Sequence, residues 1–251
     1  MDSEKNNQSS TPLDNHVSNR VKHEAILKVE NVSKVFDLVS RKVQAISEIN
    51  LEVYAKDFLV IYGPSGCGKS TLLNIMCGID EPTSGKVSIR GKNITKMSED
   101  ERGIFRSQKM GVIYQMPMWI KSLNVLENVM MPLMIEGEKE RKAKEKSHQI
   151  LEELHLTKLE KQLPIQLSGG EQQKIALARS LITNPWIVVA DEPTGNLDTH
   201  SADQLVNILQ TLNQEKNRTI IMVTHNLTYL PLATRTVAMS DGRIVREEDR
   251  G

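Results

Sequence analysis

Phe58-Leu59-Val60-Ile61-Tyr62-Gly63-Pro64-Ser65-Gly66-Cys67-Gly68-Lys69-Ser70-Thr71 is an apolar run of strand length that breaks into a glycine-rich turn and resumes as a helix-compatible stretch. From Gly63 to Ser70 it fits G-x-x-x-x-G-K-[ST], the phosphate-binding P-loop, at every fixed position. Glycines let the backbone wrap closely enough for several N–H groups to face one phosphate, and the N-terminus of the following helix adds a favourable dipole. Gly63, Ser65, Gly66, Cys67, Gly68, Lys69, Ser70 and Thr71 are therefore candidate nucleotide-binding residues. Lys69 would reach the β- and γ-phosphates, and the Ser70 hydroxyl would sit on Mg²⁺. Cys67 stands at a position free to vary and reads as a small tolerated side chain; Cys77 reads as core.

Outward from this stretch, three more short apolar runs recur at 110–114, 186–190 and 219–223, with helical stretches between them. Short apolar strands separated by helices are the sequence form of a parallel sheet covered on both faces. Upstream, Leu27, Val29, Val32 and Val35, then Ile46, Ile49, Leu51 and Val53, predict early strands of partly alternating pattern. Near the end, residues 236–240, the pair Asp241-Gly242 and residues 243–246 read as a hairpin with a type I′ turn. A more helical insert covers about 116–166, with a start signal at Asn124 and Glu127. Residues 136–146 carry nine charges in eleven positions and read as a solvated helix surface, with Glu138–Lys142 and Glu140–Lys144 at helical pairing distance.

Composition narrows the class. Hydrophobic residues make up 39% and charged residues 25%, which suits a globular domain. Thirty-two basic residues balance 32 acidic ones, so a basic footprint for nucleic acid or anionic lipid is absent at whole-chain level, and no nucleic-acid partner is expected. The longest apolar run, 129–135, falls far short of the ~18 residues that span a bilayer, and the N-terminus shows no secretory pattern. Two cysteines make no disulfide framework. Residues 1–24 are polar and are expected to form a disordered tail ahead of a single domain over 25–251.

Two further stretches carry chemistry. The run 186–190 ends in Asp191-Glu192, which would place Asp191 on Mg²⁺ and Glu192 beside the attacking water. Leu167-Ser168-Gly169-Gly170-Glu171-Gln172-Gln173 has the form of a capping box, Ser168 with Glu171, yet places two glycines in the first turn. Each costs a helix about 1 kcal/mol relative to alanine, which suggests an anion approaching the backbone there. Gly63, Gln115, Asp191 with Glu192, and His225 all follow the end of a different predicted strand, where open α/β sheets bind ligands.

These motifs, in this order, resemble those of ATP-binding cassette (ABC) ATPases, and the resemblance covers residues 27–247. It implies a P-loop α/β core, an antiparallel β subdomain, and a helical subdomain over about 116–180 that holds the signature. By the same resemblance, Ser168, Gly169, Gly170 and Glu171 form the signature motif, Gln115 is a Mg²⁺ and water contact, Asp198 belongs to the D-loop, His225 is the switch histidine, and Phe36 stacks on adenine. It further implies MgATP hydrolysis by a head-to-tail homodimer, with each ATP between Lys69 of one subunit and Ser168 of the other. The partner would be an integral membrane permease, and the subunit would sit peripherally on the cytoplasmic face of the plasma (inner) membrane. The stretch 190–198 is similar to the branch that includes macrolide exporters, lipoprotein-releasing ATPases and antimicrobial-peptide efflux systems. Lys174, Ser180 and Asn226 depart from the commoner Arg, Ala and Asp of the family.

Two rivals are a soluble ABC ATPase of repair, translation or iron–sulfur assembly, and a P-loop kinase. Only 97 residues separate Lys69 from Leu167, too few for the long coiled coil of repair types; one P-loop argues against translation types; and a kinase leaves Ser168-Gly169-Gly170 unexplained. Six of the eleven methionines fall at 110–134 together with Trp119. Met110, Met130 and Met134 are expected in the core, whereas Met118 and Trp119, on a loop broken by Pro117, are expected to line the permease groove.

Overall fold

The computed structural model describes residues 25–39 and 41–250; the expected tail at 1–24 lies outside the described residues. Two long strands, β1 (Ala25–Leu38) and β2 (Arg41–Tyr54), pair antiparallel through several bulges. β3 (Phe58–Tyr62) leads through the P-loop into α1 (Lys69–Met76). The chain then adds β4 (Ser84–Ile89) and β5 (Lys92–Asn93) beside β1, completing a four-stranded sheet of order β2-β1-β4-β5. Sequence periodicity does not reveal β4 and β5. Only Val87 and Ile89 of β4 are buried, too few to make a pattern.

After α2 (Glu99–Lys109) and β6 (Met110–Ile113) come the helices α3 (Val125–Ile135), α4 (Glu140–Glu153) and α5 (Gly169–Leu181). β7 (Ile187–Asp191), α6 (Thr199–Gln214) and β8 (Thr219–Thr224) return to the core, and β9 (Arg235–Ser240) with β10 (Arg243–Asp249) forms the closing hairpin. The second sheet has the order β10-β9-β3-β8-β7-β6 and is parallel except for β10.

Alternation along its central strands explains why those runs are apolar throughout. Leu59 and Ile61 of β3, Ile187 and Val189 of β7, and Ile221 and Val223 of β8 join one core, shared with α1 and the four-stranded sheet. Phe58, Val60, Val188, Ala190, Ile220 and Met222 point the other way, into a core shared with α5 and α6. Side chains on a strand alternate between faces, so a sheet covered on both sides needs apolar residues at every position. Cys77 lies in the first core, where burial pushes its thiol up to about 12. At the lower rim, Asp57 accepts from Arg235 at 2.8 Å, and the guanidinium lies over Tyr54, joining the two sheets.

A third core holds the helical subdomain: Val125, Val129, Leu133, Ala143, Leu151, Leu167 and Ile175. The predicted start of α3 is present as a capping box between Asn124 and Glu127. The charged stretch is not one helix, because Gly137 at φ 83° separates α3 from α4. Glu138 therefore stays in the linker and pairs with Lys146 of α4 at 2.8 Å rather than with Lys142, and Arg141 pairs with Glu145. Met110 belongs to the first core, while Met130 and Met134 pack partly buried on the third.

Candidate active site

The P-loop is pressed between two strands. A Cβ at Gly63 would lie 2.2 Å from the Met239 carbonyl of β9. At Gly68, with φ 101°, it would lie 2.5 Å from the Ala45 carbonyl of β2. Neither position admits a side chain, and Gly68 also needs the left-handed backbone that glycine takes without strain. Held this way, the loop delivers α1 with its N-terminus at the carboxyl end of β3. Lys69 is buried, and its Nζ donates to the carbonyls of Gly63 and Pro64 at 2.9 and 3.0 Å, which folds the ammonium back over the loop. Ser65, Gly66 and Ser70 are exposed; Cys67 is buried and its carbonyl accepts from Gly242 N–H.

Ser70 Oγ donates to Asp191 Oδ1 at 3.1 Å, linking the P-loop to the end of β7. Burial pushes the Asp191 carboxyl up, and Glu192 beside it adds to the rise; Ser70 and Lys69 pull it back. Glu192 follows in the left-handed region at φ 45°. Its N–H donates to Val223 O of β8, and its carboxylate accepts from His225 Nδ1 at 2.8 Å. A carboxylate only accepts, so the proton sits on Nδ1 and leaves Nε2 of the half-exposed imidazole available.

Gln115 follows β6, and a Cβ at Gly195 would lie 2.7 Å from its Nε2, so Gly195 is the gap that admits the Gln115 amide. Sequence reading did not single out Gly195. The signal was there, a glycine four residues after Asp191, but its reason is a contact with a residue far away in the chain. Phe36 lies on the β1–β2 hairpin opposite Val43, two strand positions, about 7 Å, from Ala45 against the P-loop. Its ring is partly exposed, with Lys34 Nζ 5.1 Å from the centroid.

The signature residues stand apart. Ser168 caps α5 in a capping box with Glu171, whose carboxyl is pulled down by Ser168. Asp198 caps α6 by accepting from Ser201 N–H, and its carboxyl is lowered by the Ser201 hydroxyl first and by that N–H second. Among the described residues, no hydrogen bond joins Ser168, Gly169, Gly170 or Glu171 to Lys69, Ser70, Asp191, Glu192 or His225. The glycine argument is corrected at Gly170. A Cβ there would lie 2.7 Å from Ser201 Oγ, so close packing of α5 on α6 accounts for that glycine.

The loop after Gln115 also differs from expectation. Met116 and Met118 are exposed, but Trp119 is partly buried against both the second and third cores. Its Nε1 donates to Gln172 Oε1 at 3.0 Å, and Arg179 lies 4.5 Å over its ring. Trp119 is therefore a pin between subdomains rather than a groove-lining anchor.

A family model described as ABC transporter matches residues 46–195. An uncharacterised ABC transporter ATP-binding protein of Methanocaldococcus jannaschii is 43% identical over 220 residues, covering 88% of this chain and 98% of that protein. A lipoprotein-releasing system ATP-binding protein of Wigglesworthia glossinidia brevipalpis is 39% identical over 222 residues, covering 88% and 97%. Among solved structures, a dimeric ATP-binding cassette in a post-hydrolysis state with ADP and Pi superposes with a TM-score of 0.83 at 34% identity, covering 90% of this chain and 99% of that one. With the P-loop, the Asp191-Glu192 strand end and the signature in family order on this fold, the chain belongs to the ABC transporter family as an ATP-binding, ATP-hydrolysing subunit.

Proposed function

We propose that the subunit binds MgATP on its P-loop, hydrolyses it in a head-to-tail homodimer, and drives an integral membrane permease from the cytoplasmic face of the plasma (inner) membrane. The observation that carries the reading is the pairing of Glu192 with His225 immediately beside the pairing of Ser70 with Asp191, at the carboxyl ends of adjacent strands.

The P-loop N–H groups and Lys69 bind the phosphate chain and orient its terminal group. Ser70 and Asp191 would hold Mg²⁺. They offer a hydroxyl and a carboxylate already in contact, and no cluster of three or more His, Cys, Asp or Glu occurs among the described residues to compete. One carboxylate with phosphate and water is the set Mg²⁺ favours, and bound there it would neutralise charge on the phosphates. Glu192, held by His225 and by its backbone bond to Val223, takes the proton of the attacking water at its carboxylate. His225 Nε2 is then free to contact the terminal phosphate, and Gln115 reaches the same region through the gap at Gly195. Phe36 would stack on the base. Ser168, Gly169, Gly170, Glu171 and Asp198 would complete the site of the opposite subunit.

No described helix is long and apolar enough to cross a membrane, which fits a subunit that works through a separate permease. The test is phosphate release by the purified chain with MgATP. Wild type should hydrolyse it, and Lys69→Ala should lose both nucleotide binding and turnover. Unchanged hydrolysis by Lys69→Ala would refute the site, and failure to co-purify with any integral membrane protein would refute the permease partner.

A further inference from the structure

The end of the β1–β2 hairpin is held to the rest of the fold by the segment between α1 and β4. Val35 N–H donates to Thr83 Oγ1 at 3.0 Å, Thr83 N–H donates to Ser33 O at 2.8 Å, and Lys34 Nζ donates to Glu81 O at 2.6 Å. Among the described residues, no hydrogen bond or ion pair joins residues 36–39 to anything outside their own hairpin. Phe36 therefore projects past the last anchor, and a phenylalanine ring has no polar atom with which to fasten itself. Lys34 supplies the fastening. The ammonium that binds Glu81 O also lies over the Phe36 ring, 5.1 Å from its centroid, within the ~6 Å over which a ring face attracts a cation. The hairpin meets the P-loop at the same place. Lys34 pairs with Ile46 and Val35 with Gln44, which leaves Ala45 as an extra residue of β2, and the Ala45 carbonyl is the one pressed on Gly68.

We propose that Lys34 is a positioning residue for the nucleobase: anchored on the Glu81 carbonyl, its ammonium holds one face of the Phe36 ring and so presents the other face to the base in a fixed orientation. The proposal rests on the reading above that Phe36 stacks on the base. A ring fixed beforehand loses less freedom when the base arrives, so the same stacking contact yields more affinity. The P-loop and Lys69 hold the phosphates whatever base they carry. Lys34 therefore governs only the base-dependent part of nucleotide binding, and it does so through Phe36.

The test is calorimetric titration of the full chain, in Mg²⁺, with two probes: a non-hydrolysable ATP analogue, and inorganic tripolyphosphate, which carries phosphates but no base. The ratio of the two affinities isolates what the base contributes. Phe36→Ala should lower that ratio by about tenfold or more, the size of a lost base–aromatic stack. Lys34→Met should lower it about two- to fivefold, the size of an exposed cation–ring contact, and leave tripolyphosphate binding as in wild type. Lys34→Arg keeps a cation over the ring and should stay within about twofold of wild type. In the Phe36→Ala background, Lys34→Met should have no further effect on the ratio, because the ring through which it acts is gone. Lys34→Gln keeps a donor for Glu81 and loses the charge; it should match Lys34→Met and serves if that variant does not fold. Equal loss of both probes in Lys34→Met would place Lys34 on the phosphates and overturn the proposal. So would a ratio that Lys34→Met leaves at the wild-type value, or lowers again when Phe36 is already alanine; in either case the stacking reading stands. A ratio that Phe36→Ala leaves unchanged overturns the stacking reading itself.

Discussion

Glu192 is held at φ 45°, a backbone conformation that costs a residue with a side chain on the order of 1–3 kcal/mol. What the strain achieves is visible: the turn after β7 aims the Glu192 carboxylate at His225 instead of letting it follow Asp191 toward Ser70. The two neighbouring carboxylates are thereby split, Asp191 facing Ser70 and Glu192 facing His225. Glu192→Gln keeps an oxygen for His225 and loses the base, so turnover should fall by ~10²–10⁴ while MgATP binding persists. Phosphate release and nucleotide titration check this together, and turnover within a few-fold of wild type would refute the assignment. Asp191 makes a separate point about stability. Its pKa is raised, chiefly by burial, above the ordinary 3.8. A raised carboxyl contributes stability that is complete below the unfolded value and is lost as pH rises through the folded one. At pH 7 the charged group therefore opposes folding of the nucleotide-free chain. Asp191→Asn, whose oxygen can still accept from Ser70, should melt higher than wild type at pH 7, and the gain should vanish as the pH falls to about 4. A lower melting temperature at pH 7 would contradict it.

α5 packs on β6 and α6 and against α3 and α4, and a glycine stands at its contact with β6 and at its contact with α6. A Cβ at Gly111 of β6 would lie 2.2 Å from the Ser180 carbonyl, and the Cβ at Gly170 would strike Ser201. Alanine is the better helix former, so on propensity alone Gly170→Ala would gain about 1 kcal/mol. Overpacking costs ~1–3 kcal/mol and should win. The expected outcome is a net loss of stability, partly recovered by Ser201→Gly, which removes both atoms the new methyl meets. Denaturant midpoints of the single and double variants decide it; a stabilised Gly170→Ala would show that α6 yields freely and that the glycine serves an approaching anion after all.

In the head-to-tail dimer proposed above, assembly would turn on the signature at the start of α5. Ser168 and Glu171 cap each other, yet with Gly169 they present the start of a helix where no residue of the P-loop reaches them. Ser168→Arg should preserve nucleotide binding by the subunit's own P-loop while abolishing ATP-dependent dimerisation and hydrolysis. Because Ser168 also caps α5, part of any effect is stability, about 1 kcal/mol. Ser168→Ala carries that loss without the bulk, so it should dimerise measurably better. Size-exclusion chromatography with ATP separates the two, and equal dimerisation of Ser168→Arg and wild type would remove the signature from the interface.

The order of the motifs, the parallel sheet and the residues that meet at its carboxyl edge were legible in the chain because each depends on local geometry. A P-loop is a turn between its own strand and helix, and a strand buried on both faces declares itself as an unbroken apolar run. β4, β5 and α2 were silent because they bury little: α2 contributes one buried side chain, Arg102, and is held by its Ser98–Glu101 capping box, by Arg102 on Glu81 and Arg106 on the Gly78 carbonyl, and by partly buried apolar contacts. Tertiary structure alone decided that Gly170 yields to Ser201, that Gly195 yields to Gln115, and that Trp119 is a pin rather than an exposed anchor. Trp119 meets Gln172 across 53 residues, and Gln115 meets Gln173 across 58. Burial and partnership at such separations belong to the neighbours that folding brings up, and a residue's own type and local spacing carry no record of them.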